Sequence, residues 1–203
     1  MTEAKPILTV IAGPNGSGKS TFTRSTNEAL QVPVIDPDAL ARLIKPDAPE
    51  EAAIQGGRQA IQRARAYLAN NESFAVETTL SGNTYLRMMA EAGQKGWQIN
   101  LVYVGVDKVQ TSIKRVAQRV AQGGHNVPEA DIRRRYERSL VNLPIALRQA
   151  DRTFIFDNST ESGHQKILTI ENGRVIEQAR ELPEWLKTLI PQEFIGQNRS
   201  QSI

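Results

Sequence analysis

The stretch Gly13-Pro14-Asn15-Gly16-Ser17-Gly18-Lys19-Ser20 constrains this 203-residue chain more than any other feature. It fits the spacing G-x-x-x-x-G-K-[ST] throughout, with an apolar run at residues 6–12 before it and a helical pattern at 19–30 after it. Glycines so placed let successive backbone N–H groups turn inward around an anion, and the following helix adds its positive end. The expected ligand is a nucleoside triphosphate, ATP or GTP, cradled by Gly13, Pro14, Asn15, Gly16, Ser17, Gly18, Lys19, Ser20 and Thr21. Lys19 would reach the β and γ phosphates, the Ser20 hydroxyl would be a Mg²⁺ ligand, and Thr21 would lie near the α phosphate. A glycine-rich turn with an incidental lysine is the bland alternative, and the strand before and helix after the motif argue against it.

The rest of the chain supplies the sheet that such a loop needs. Short apolar runs at 32–35, 73–76, 99–104 and 153–156 alternate with helical patterns at 52–69, 84–92 and 109–120 and a helix opening near Pro128. Alternation of this kind predicts an α/β fold: a P-loop, kinase-like parallel sheet flanked by helices, in one domain over 1–203. Pro33 near the start of its run points to an edge or opening position. Gly56-Gly57 inside the 52–69 helix predicts a kink or a close approach. Asn172-Gly173, between apolar runs at 166–170 and 175–177, signals a C-terminal β-hairpin with a type I′ turn. A short helix is expected at 183–190 and a frayed, flexible tail at 191–203.

Composition narrows the function classes. Hydrophobic residues make up 39% and aromatics 5%, so Ile, Leu, Val and Ala must build the core, which suits helices on a parallel sheet. The absence of cysteine excludes disulfides, zinc thiolates and thiol nucleophiles. No apolar run approaches the roughly 18 residues of a membrane span, and residues 1–5 carry no signal-peptide pattern, so a cytoplasmic protein without a membrane partner is expected. The net charge of +3 does not by itself imply nucleic acid.

Two carboxylates, Asp36 and Asp38, follow the second apolar run. Ligand crevices of open parallel sheets lie at the carboxyl ends of strands, so both acids should face the phosphates. Asp38 is the candidate base that deprotonates an attacking hydroxyl, with Asp36 in support on the substrate side; the competing reading makes Asp38 the N-cap of a helix starting at Ala39. Glu77, after the third run, would steady Mg²⁺ through its waters, and Thr79 and Ser81 offer hydroxyls to a substrate. A helix cap and turn over 78–82 is the alternative.

Residues 111–140 hold seven basic side chains against three acids. Arg115 and Arg119 share one helix face, flanking the Val109–Ile113–Val116–Val120 stripe, and Arg134 and Arg138 repeat the four-residue spacing on the next helix. The pair reads as a mobile lid, with residues 122–128 as the hinge. Arg115 and Arg119 would stabilise transferring charge, and Arg134 and His125 would contact substrate. The competing reading is a solvated basic face. A nucleic-acid stripe is the weaker rival, because few aromatics are interleaved to stack bases. A nucleotide-dependent switch without kinase activity is the alternative function.

Together the motifs Pro14-Asn15-Gly16-Ser17-Gly18-Lys19-Ser20, Asp36-Pro37-Asp38 and Glu77-Thr78-Thr79, with the stretch from Arg115 to Arg138, resemble the zeta-toxin family of P-loop kinases over about residues 6–160. The resemblance is to its compact branch, described as ATPases or kinases. It implies transfer of the γ phosphate to a small hydroxyl-bearing substrate, in characterised zeta toxins the 3′-hydroxyl of UDP-N-acetylglucosamine, and an antitoxin protein as partner. It also implies Asp38 as base, Lys19 as phosphate lysine, Glu77 and Thr79 as substrate-side residues, and Arg115 as a lid arginine. The family's toxins carry an arginine two residues after the E-x-T threonine, where this chain has Ser81. The fixed guanidinium fork that grips a diphosphate is therefore missing at that position.

Overall fold

The computed structural model describes residues 5–124 and 126–195, and its framework is a seven-stranded sheet. Its first half alternates strand and helix: β1 (Ile7–Ala12), α1 (Lys19–Leu30), β2 (Val34–Ile35), α2 (Pro37–Ile44), α3 (Ala53–Ala69), β3 (Phe74–Thr78), α4 (Thr84–Gln94) and β4 (Gln98–Gly105). Then come α5 (Val109–Ala121), α6 (Glu129–Gln149), β5 (Arg152–Asp157), β6 (Gln165–Glu171), β7 (Arg174–Gln178), α7 (Glu184–Lys187) and α8 (Gln192–Ile195). The strand order is β2-β3-β1-β4-β5-β6-β7. The first five run parallel, and β6 and β7 add antiparallel at the far edge.

β1 is central, with Leu8, Val10, Ile11 and Ala12 fully buried. Such continuous apolarity is what a strand covered on both faces requires. Because β1 lies between β3 and β4, the chain order reverses there, and the crevice opens at its carboxyl end. Aliphatic side chains dominate the main core, as the composition demands, with Trp97, Trp185 and Tyr103 filling the larger gaps.

Local rules explain most elements. β2 holds the other edge of the sheet and shrinks to Val34–Ile35, since Pro33 has no N–H to pair. Asn172 and Gly173 have φ of 48° and 74°, the paired left-handed values a type I′ turn needs, so the hairpin forms where expected. α3 packs a stripe of small residues, Gly56, Ala60 and Ala64, before Leu68. A Cβ on Gly56 would sit 2.7 Å from the Pro37 carbonyl oxygen, so that glycine lets α2 and α3 touch backbone to backbone, whereas a Cβ on Gly57 would meet nothing within 4 Å. Ile54, on the seven-residue ladder it shares with Ile61 and Leu68, points outward and is 74% exposed.

Two expectations are corrected. β3 continues two residues beyond its apolar run, so Glu77 is a strand residue opposite Ile11 rather than a residue after the strand. The segment 191–195 is not frayed: it forms α8, whose Phe194 is buried and rests against Gly173, while Glu193 pairs with Arg148 at 2.7 Å. The remainder of the expected tail, 196–203, lies outside the described residues.

Candidate active site

The phosphate loop is built by backbone conformation. Gly13, Gly16 and Gly18 have φ of 145°, 70° and 96°, a left-handed series that a side chain would strain, and Gly18 is the N-cap of α1. Neighbours also press on the loop. A Cβ on Gly13 would lie 2.1 Å from the Val104 carbonyl oxygen, and one on Gly16 would lie 2.8 Å from that of Ser112. α5 therefore seats directly on the loop. Lys19 Nζ donates to the Pro14 carbonyl oxygen at 3.0 Å, which holds the ammonium across the loop. Desolvation lowers the Lys19 pKa, against the pull of Glu77, Asp38 and Asp36 and with help from Arg119. An anionic phosphate would relieve that strain. In the same loop, Asn15 Oδ1 and Ser17 Oγ are buried polar atoms without a hydrogen-bond partner among the described residues.

Two residues that the sequence reading did not place in the loop brace it from below. Asn158, directly after β5, is buried; its Nδ2 donates to the Ser17 carbonyl oxygen at 2.8 Å, and its own carbonyl accepts from Arg115 at 2.6 Å. His164 Nε2 lies 3.1 Å from the Gly18 carbonyl oxygen, and its ring packs edge-on against Phe22 at 5.7 Å. Nothing local marks His164, which reaches the loop across 146 residues of chain. Asn158 offered only the weak signal of a polar residue following a strand.

Asp36 and Asp38 divide differently from expectation. The helix begins at Pro37, not Ala39, and its N-cap is Asp36, whose Oδ1 accepts the Asp38 amide at 2.8 Å. Proline in the first turn and an aspartate before it are the ordinary opening of a helix. Burial, with Glu77 and Asp38 nearby, raises the Asp36 pKa. Asp38, freed from capping, is exposed and faces a cleft of about 500 Å³. Lys19, Asp36, Glu77 and Thr79 line the same cleft.

Glu77 is 5% exposed, and its Oε2 accepts from Ser20 Oγ at 2.9 Å, joining α1 to β3. A serine hydroxyl and a carboxylate so placed are the hard oxygen donors that Mg²⁺ takes alongside phosphates and water, so the pair fits that ion. Among the described residues no cluster of three His, Cys, Asp or Glu could hold a metal by itself. After β3 the chain turns sharply: buried Leu80 takes a φ of 55°, held by its amide on Thr78 Oγ1 at 3.0 Å and by Asn142 Nδ2 on its carbonyl at 2.8 Å. The Thr79 and Ser81 hydroxyls lie 2.9 Å apart, Thr79 in the cleft and Ser81 in a neighbouring cavity.

The arginine-bearing helices cover this end of the sheet. The predicted stripe is real: Val116 joins Val127 and Ile132 in a small core, with Val109, Ile113 and Val120 packed against it. α6 is tied to the sheet from Tyr136 onward. Tyr136 Oη donates to the Val106 carbonyl at 3.0 Å, Tyr103 Oη and Ser139 Oγ are 2.9 Å apart, and Leu143, Ala146 and Leu147 belong to the main core. Arg119 is near enough to Lys19 to depress its pKa, while Arg115 is spent on Asn158. Arg134 does not line the cleft itself; it pairs at 2.7 Å with Asp131, which does, and the next residue, Arg135, lines the cleft 3.9 Å from the same carboxylate. His125 lies outside the described residues, between Gly124 and cleft residue Asn126.

A glycine-rich loop at the carboxyl end of the central parallel strand, with a lysine across it and a hydroxyl–carboxylate pair beside it, defines a P-loop α/β protein of kinase-like architecture. Residues 8–139 match the AAA domain model AAA_33, and the chain belongs to that family. An uncharacterised protein of Haemophilus influenzae is 38% identical over 124 residues, covering 61% of this chain and 88% of its own.

Solved structures share the fold at low identity. The AvrRxo1-ORF1:AvrRxo1-ORF2 complex with sulphate ions matches with a TM-score of 0.64 at 14% identity, covering 85% of this chain and 61% of that longer one. The PezAT chromosomal toxin–antitoxin system of Streptococcus pneumoniae matches at 0.53 and 14% identity, over 81% of this chain and 72% of that one. A candidate kinase of Chloroflexus aurantiacus matches at 0.53 and 17% identity, over 66% and 80%. No helix among the described residues is long and apolar enough to cross a membrane.

Proposed function

We propose that the protein is an ATP- or GTP-dependent kinase that phosphorylates a hydroxyl of a small molecule. The observation that carries this reading is that one cleft is lined at once by Lys19, Asp38 and Glu77, the phosphate lysine, an uncapped carboxylate and the partner of Ser20. The nucleotide's phosphates lie along residues 13–20, with Lys19 and Arg119 offsetting their charge. Bound Mg²⁺, held by Ser20 with Glu77 behind it, would neutralise charge on the phosphate oxygens. Asp38 accepts the acceptor's hydroxyl proton as its oxygen bonds to the γ phosphorus and the bond from that phosphorus to the β–γ bridging oxygen breaks. Thr79 orients the acceptor, and Asn126–Pro128 with Arg135 close the opposite wall and limit water.

The zeta-toxin resemblance of the motifs extends this reading to a nucleotide sugar as acceptor, and the shared fold with the PezAT toxin–antitoxin system is in keeping with an antitoxin as partner. Ser81 in place of the toxins' arginine leaves the acceptor's identity open. The test is incubation with γ-labelled ATP and GTP and a panel of sugars, sugar phosphates and nucleotide sugars. Label on an organic product supports a kinase; label released only as inorganic phosphate overturns it.

A further inference from the structure

The loop that follows β5 touches the phosphate loop at both of its ends. At its start, Asn158 Nδ2 donates to the Ser17 carbonyl oxygen at 2.8 Å. At its end, one residue before β6, His164 Nε2 lies 3.1 Å from the Gly18 carbonyl oxygen. A carbonyl oxygen only accepts, so Nε2 carries the hydrogen of that contact. The root of the loop is fixed as well. Asp157 accepts from Trp185 Nε1 at 2.9 Å and from Ser159 Oγ at 2.6 Å, and Ser159 Oγ accepts the Asp107 amide at 2.9 Å. A Cβ on Gly18 would lie 2.5 Å from Asn158 Nδ2 and 2.9 Å from His164 Nε2, so glycine there also makes room for both donors.

A planar trans peptide points its C=O and the N–H that follows in opposite directions. Tying the Ser17 carbonyl to Asn158 therefore turns the Gly18 amide away from the 158–164 loop, and tying the Gly18 carbonyl to His164 does the same for the Lys19 amide. Among the described residues, the amides of Gly18, Lys19, Ser20 and Thr21 find no acceptor in the protein, whereas those of Ser17 and Phe22 on either side are paired at 3.3 and 2.9 Å. Phe22 donates to the Gly18 carbonyl, so His164 takes the second lone pair of that oxygen. We infer that His164, together with Asn158, is a positioning residue for anion binding: the two side chains hold consecutive peptide planes so that the Gly18 and Lys19 amides face the phosphates. The inference rests on the nucleotide-binding part of the proposed function, and it gives a loop distant in sequence control over the cradle's donors.

Inorganic tripolyphosphate and a nonhydrolysable ATP analogue are each titrated calorimetrically, in magnesium-free buffer, into the wild type, His164→Leu and His164→Gln. Leucine keeps bulk beside Phe22 without a donor, whereas the glutamine amide nitrogen stands as many bonds from the backbone as Nε2 and restores one. His164→Leu should bind both ligands at least about fivefold more weakly and by the same factor, the scale of one hydrogen bond, while His164→Gln stays within about twofold of the wild type. Equal affinity of His164→Leu and the wild type, or His164→Gln as weak as His164→Leu, overturns the role. A loss confined to the ATP analogue overturns it in favour of a contact to the nucleoside. In the wild type, tripolyphosphate should move the Gly18 and Lys19 amide proton resonances downfield, and resonances that stay in place overturn the role whether or not the variants fold. Failure of the wild type to bind either ligand overturns the nucleotide reading with it. An acceptor panel with no labelled organic product overturns the kinase reading alone, because these titrations do not depend on transfer.

Discussion

Asp36 accepts the backbone amide of Asp38 at 2.8 Å, and this one bond assigns the two carboxylates different work. The first is consumed in starting α2. The second, one residue into the helix, is carried to the cleft wall with its oxygens uncommitted to a cap. Asp36→Ala should therefore lower stability by about 1 kcal/mol, the usual worth of an N-cap. Asp36→Asn, which still caps, should not. Denaturant unfolding of the two variants checks this, and equal losses would contradict it.

Lys19 is held against the grain of its surroundings. Its folded-state pKa is lowered, so the unfolded chain binds more protons, and stability rises with pH from the folded pKa toward the ordinary 10.5. Lys19→Met removes that penalty. The variant should be more stable than the wild type at pH 7–8, the gap should narrow as pH approaches 10.5, and nucleotide binding should be lost. Thermal melts across pH, with nucleotide titration at pH 7.5, provide the measurement.

Asn158 bridges the loop and α5 with a buried hydrogen bond to Ser17 and a partly buried one from Arg115. Asn158→Ala leaves the Ser17 carbonyl without its side-chain donor, which should cost about 1–3 kcal/mol. Because that carbonyl belongs to the phosphate loop, nucleotide affinity should fall as well, and calorimetric titration would show it. Unchanged affinity would make Asn158 a purely structural brace.

Adjacent glycines in α3 should respond in opposite ways. Gly56→Ala drives a methyl to within 2.8 Å of backbone atoms of α2 and should destabilise by about 1–3 kcal/mol, displacing the helix that carries Asp38. Gly57→Ala meets open space and should stabilise by about 0.5–1 kcal/mol through helix propensity. Chemical denaturation of both variants checks the pair.

These residues also show what could be read from sequence. The loop 13–20, the α1 boundaries and the Asn172-Gly173 turn are local: a φ sign or a cap decides each, and the residue type reports it. The Asp36 cap is legible too, since proline after aspartate is itself a helix-start signal; a cap at Asp38 would place the start two residues late. Arg134 and Arg135 differ by one step of about 100°, and helical spacing alone does not say which of the two lines the cleft. Ile54 kept a core-like seven-residue spacing, yet the small stripe Gly56–Ala60–Ala64 makes the buried face. The anchoring of α6 and the seat of His164 depend on contacts between distant segments, which no window along the chain contains.

The central claim is that Asp38 receives the acceptor's proton while the loop holds the triphosphate. The most direct measurement is single-turnover transfer of label from γ-labelled ATP to acceptor by the wild type and by Asp38→Asn, with ATP affinity measured in parallel. Affinity within about twofold and a transfer rate lowered at least 10²-fold are predicted, in line with loss of a general base. Transfer at the wild-type rate by Asp38→Asn would contradict the account.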